Sequence, residues 1–83
     1  MKNDLNEALR TAGLFIAEGG KRPSFSGDDA QVAAIRRVML ASRNLYEALQ
    51  DKKATLSVIT TLLDEKRCMA VEYEKVFGHP WCF

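Results

Sequence analysis

Residues 28–77 read DDAQVAAIRRVMLASRNLYEALQDKKATLSVITTLLDEKRCMAVEYEKVF, a run of fifty residues without glycine or proline. Those two residues are the strongest punctuators of a helix, so a run this long without them is a first sign of helix. The second sign is periodicity. A seven-residue spacing picks out Ile35, Ser42, Leu49, Leu56, Leu63, Ala70 and Phe77, five of them large and apolar. Residues so spaced line one side of a helix and pack against a neighbour. The stretch predicts long packed helices and an all-α fold, and it leaves function open.

The weak point of the run is Gln50-Asp51-Lys52-Lys53, where the apolar pattern lapses for about one helical turn. No residue there forces a turn by itself. A hairpin bend would fold two helices, about 28–50 and 54–77, against each other. The rival is one helix of about fifty residues, since the seven-residue register continues through the junction. Lys52 and Lys66 fall on the seam and count against an uninterrupted coiled coil. The bent form is favoured: a three-helix arrangement with a long helical hairpin, completed by homodimerisation.

Outward from that run, a first helix is predicted over about 4–18. Asn3 is its candidate cap, and Asp4 and Glu7 sit in the first turn, where the helix dipole favours acids. Leu5, Ala8, Leu9, Ala12 and Ile16 share a face. Gly13 is a weak spot inside, and Gly19-Gly20 ends the helix. Residues 19–27 form a loop in which Phe25 is the one large apolar residue, expected to pin the loop onto the helices. Ser26 is the candidate cap of the second helix. On that helix a small-residue stripe, Ala34, Ala41 and Ala48, invites close approach of another backbone. The opposite side carries Arg36, Leu40, Arg43 and Glu47, with Leu40 read as an exposed apolar residue between charges. The third helix is apolar over nearly half its girth, which predicts contact with two neighbours. Leu49, Leu56, Ile59 and Leu63 are expected to be nearly fully buried. Gly78 stops the helix, and Pro80 turns the tail 78–83 away. Trp81 and Phe83 are expected on different sides of that extended tail.

Composition narrows the function classes. The 83 residues suffice for one domain. Twelve basic residues face eleven acidic ones, spread evenly along the chain, so there is no basic block for phosphates and no polybasic anchor. No segment nears the eighteen apolar residues a membrane span needs. Residues 1–7 place acids where a signal peptide needs an apolar run. The two cysteines make no disulfide framework, so a cytoplasmic protein with reduced thiols is expected.

No residue set points to catalysis or to a cofactor. Cys68, His79 and Cys82 include only one metal-type spacing, His79-x-x-Cys82, and lack a fourth ligand. Cys68 as a nucleophile lacks a nearby base, since His79 lies eleven residues on, beyond a helix end. Asp28-Asp29 is explained by a helix start, Asp64-Glu65 by a solvated face, and Gly19-Gly20-Lys21 lacks phosphate-loop spacing. Lys21, Arg22, Arg36, Arg37 and Arg43 form at most a small basic patch, weakened by Asp28, Asp29 and Glu47. A tight helix-turn-helix does not fit helices this long.

Residues 30–49, an Ala-rich run ending in Leu45-Tyr46-Glu47-Ala48-Leu49, resemble a helix that recurs in small uncharacterised phage and prophage proteins. The resemblance covers about a quarter of the chain. Those proteins often have a proline before the ending, where Arg43-Asn44 stands here. It implies a phage or bacterial accessory protein with no activity attached. The expected function is thus non-enzymatic: a helical module that binds another protein, as a small regulator or inhibitor of a larger one. A small nucleic-acid-associated regulator is the second reading. Leu40, Arg36, Arg43, Val71, Trp81 and Phe83 are the candidate interaction residues. The partners expected are another protein and a second copy of the chain.

Overall fold

A computed structural model of the protein describes residues 4–25 and 27–83. The proposed caps Asn3 and Ser26 lie outside the described residues, as do the side chains of Asp4 and Leu5. Three helices account for the described secondary structure: α1 (Asp4–Glu18), α2 (Asp29–Gln50) and α3 (Leu56–Phe77).

The junction bends, and Asp51 is the cause. It leaves α2 in an extended conformation, with its N–H still bonded to the Ala48 carbonyl at 3.2 Å. Its carboxylate then accepts from the Lys53 N–H at 2.9 Å, and its carbonyl accepts from the Ala54 N–H at 3.1 Å. Asp is suited to this turn because its short side chain reaches the backbone two residues on. Thr55 starts the next helix, its hydroxyl accepting from the Val58 N–H at 3.2 Å. The expectation that no residue there forces a turn is corrected by this pair, whose effect is local bonding rather than hydropathy.

With α3 folded back on α2, Ala34 and Ala41 are buried in the second helix. Their small side chains let the partner backbone come close. α1 lies along α2 and runs in the same direction. Ala8 and Leu9 pack near Ile35 and Val38, Ala12 and Ile16 near Met39, and the Ile16 carbonyl meets Arg43. Two successive helices that run parallel need a long return connection. Residues 19–28 supply it, and Phe25 packs on both apolar clusters on the way, as expected. Gly19, at φ +79°, starts the return in a conformation few other residues accept.

Among the described residues, α1 and α3 each pack on α2 and not on each other's backbone. The C-terminal tail bridges them. Gly78, at φ +81°, reverses the chain, and its N–H bonds the Glu74 carbonyl at 2.8 Å. His79 then meets Tyr73 of α3, Trp81 bonds Ser42 of α2, and Phe83 lies against Gly13 of α1. A Cβ at Gly13 would stand 2.7 Å from the Phe83 ring. The glycine that reads as a weak spot is the place where that ring fits. Trp81 and Phe83 do not diverge: their rings meet edge to face at 5.3 Å. Residues two apart in an extended segment share a side.

Candidate interaction surface

Two places in the molecule gather functional-looking side chains. The first is the aromatic cluster under the tail. Tyr73 is fully buried at its centre, stacked on Phe77 at 4.4 Å and edge-on to Trp81 at 5.0 Å. Tyr73 Oη and His79 Nε2 lie 2.8 Å apart, a hydrogen bond whose direction is set by the imidazole tautomer. Burial pushes the Tyr73 phenol up to about 12, with a smaller contribution from Cys82. The Trp81 indole N–H donates to the buried Ser42 hydroxyl at 2.9 Å. Each buried polar group here has a partner, and the arrangement is that of a satisfied core. Cys68 and Cys82 are both exposed, and among the described residues no three of His, Cys, Asp and Glu stand close enough to hold a metal ion.

The second place is the closed end of the α2–α3 hairpin. Two apolar stripes of α2 reach it. Ile35 and Ser42 are buried, yet Leu49, next in that stripe, is 60% exposed. Met39 is fully buried, yet Tyr46, next in its own stripe, is exposed. On α3, Leu56 begins the stripe that continues through Leu63, Ala70 and Phe77, and it is 79% exposed. Val58 beside it is exposed too, while Ile59, Leu62 and Leu63 are half-buried. The expectation of a nearly fully buried Leu49, Leu56, Ile59 and Leu63 fails for one reason. The core needs a third layer, and α1 ends opposite Arg43. Beyond that level, among the described residues, α2 and α3 have only each other.

The hairpin end is also free of charge along α3. From Ala54 to Leu63 ten consecutive residues carry none. A solvated helix surface normally carries charges, and depletion of charge marks the core of an interface. The charged residues at this end are Glu47 and Asp51 against Lys52 and Lys53, all exposed.

The residues proposed from sequence fare differently. Arg36 and Val71 are exposed on separate helices, and Phe83 keeps 43% of its surface free. Leu40 is a correction: it is half-buried against the cluster of Ala12, Phe15, Ile16 and Met39. Arg43 is another. Its Nη1 donates to the Ile16 carbonyl at 2.7 Å, its Nε and Nη2 hold Glu47, and its guanidinium lies 5.7 Å from the centre of the Tyr46 ring. It satisfies a carbonyl at the end of α1 that has no partner within that helix. The hollow of about 200 Å³ beside it, lined by Phe15, Arg22, Leu40 and Asn44, is shallow and open. Trp81 is half-buried and engaged with Ser42. The hairpin end is absent from the candidates drawn from sequence, although the charge-free run Ala54–Leu63 signals it there.

No protein-family model matches the chain, and no curated protein or solved structure matches it either. Among the described residues no helix is long and apolar enough to cross a membrane.

Proposed function

We propose that this chain is a non-enzymatic helical module that works by binding protein, and that the closed end of its α2–α3 hairpin is the contact surface. The observation that carries the reading is the exposure of Leu49 and Leu56, seam residues of a packed hairpin, beside ten uncharged residues. Large apolar side chains gathered at one end of a small protein mark an interaction site. The likeness of residues 30–49 to phage and prophage helices is in keeping with an accessory protein and attaches no activity to it.

The test is an affinity capture with the whole chain and with the Leu49→Glu/Leu56→Glu variant. A specific protein held by the first and lost by the second, at high salt, is the expected result. Retention on DNA or heparin resin that falls steeply with salt would instead make nucleic acid the partner.

A further inference from the structure

We infer that the occupant of the hairpin end is a second copy of this chain, the two hairpin ends meeting about a two-fold axis. The inference rests on the reading of that end as a protein-binding surface and names its partner.

The first argument is area. The chain extends 43 × 25 × 18 Å and exposes 5771 Å². A compact monomer of its mass exposes about 5,000 Å². The surplus is several hundred Å², comparable to the roughly 800 Å² that each partner contributes to a stable interface.

The second argument is architecture. Two antiparallel helices that bury a seam on each other at one end and expose it at the other are half of a four-helix bundle. A second hairpin supplies the missing layer, and two-fold symmetry lets one exposed face meet itself. Each copy then covers the other's Leu49 and Leu56 with the same residues.

The third argument is charge. A heterologous partner selected by electrostatics faces a rim of one sign. The rim here mixes signs: Asp51 stands beside Lys52 and Lys53, and Glu47 is held by Arg43. A rim that mixes both signs can pair with its own copy across a two-fold axis. The uncharged face of residues 54–63 between those rims avoids burying an unpaired charge.

The test uses the full chain in two measurements. Sedimentation of the wild type across micromolar to millimolar concentration should show conversion from 9.3 kDa to twice that mass. Leu49→Glu/Leu56→Glu should remain at the monomer mass, with Trp81 emission unchanged as the check that the fold survives. Should that pair fail to fold, Val58→Lys alone should weaken the dimer by at least tenfold. In a Cys68→Ser/Cys82→Ser background, Leu56→Cys should form a disulfide-linked dimer under mild oxidation, because residues near a two-fold axis come within bonding reach of their copies. Val71→Cys, fifteen residues and about 22 Å further along α3, should not. A wild type that stays monomeric at millimolar concentration overturns the second copy as partner, while capture of another protein by the same surface would still uphold the protein-binding reading. A dimer indifferent to positions 49, 56 and 58, or cross-linked through 71 and not 56, overturns the assigned face.

Discussion

The two ends of the α2–α3 hairpin are built from the same seven-residue pattern and end in opposite environments. At the open end, Ile35, Val38 and Tyr73 are buried, covered by α1, by Phe25 and by the returning tail. At the closed end, Leu49, two repeats on from Ile35, and Leu56, three repeats before the half-buried Phe77, stand in solvent. The side chains are equally apolar, so the difference is not one of composition. It comes from the number of layers. A helix pair buries only the seam between its members, and the flanking apolar residues need a third element. The open end has α1, the loop at Phe25 and the tail over that seam, and none of these covers Leu49 or Leu56.

Substitutions at the two ends measure how deep that contrast runs. The largest effect is expected at the centre of the open end. Tyr73→Ala should destabilise the chain by about 3–5 kcal/mol, the range for emptying a buried aromatic site, as read from chemical denaturation. A loss no larger than that of Leu56→Ala would erase the distinction between the ends.

The next effect is alkaline. The fold holds Tyr73 as the neutral phenol and raises it to about 12, against 10.0 for the free side chain. Its contribution is therefore complete below pH 10 and drains away as the pH rises toward 12. Each tenfold change in proton affinity is worth roughly 1.4 kcal/mol, so the loss should reach about 3 kcal/mol. Tyr73→Phe should flatten that part of the stability profile, leaving only what the lysines and the other tyrosine contribute.

Arg43 marks the boundary between the two ends. Arg43→Ala should cost about 1.5–3 kcal/mol, the range for a hydrogen bond made by a charged group, and should loosen the end of α1. Amide exchange at the end of α1 should accelerate while the centre of α3 stays protected. Ser42→Ala removes the acceptor of the Trp81 indole and should cost about 1 kcal/mol. Trp81 emission should shift to the red if the tail loosens with it. Smallest of all, Leu56→Ala should change the stability of the monomer by less than about 0.5 kcal/mol, as exposed substitutions do. Measured where the chain self-associates, the same change should weaken the dimer, so a concentration-dependent effect of Leu56→Ala would set the closed end apart as contact surface rather than idle surface.

Much of this architecture is legible in the residues. Asp28 to Phe77 announces long packed helices, Gly19-Gly20 and Gly78 end α1 and α3, and Phe25 is recognisable as the anchor of its loop. The bend is legible too, through Asp51 and Thr55, once side-chain bonds to nearby backbone are counted alongside hydropathy. The candidate surface is partly legible, since ten uncharged residues lead into and open α3 from Ala54 to Leu63. Which apolar residues are exposed is not. Leu40 and Leu49 both sit on α2, and nothing local distinguishes the leucine that meets α1 from the one that meets water.

The helices and their ends follow from the order of residues alone. They depend on interactions within a few positions: capping, glycine conformation and the repeat of apolar side chains along one strip. Packing between distant segments set the rest: α1 runs parallel to α2, it stops opposite Arg43, and the tail fills the gap between α1 and α3. Those facts fix which side chains are buried, because burial depends on how far a distant segment reaches, and reach is set by helix length and chain direction. The same seven-residue spacing is buried at Ile35 and Ser42, where the third layer lies over it, and exposed at Leu49 and Leu56, where that layer ends.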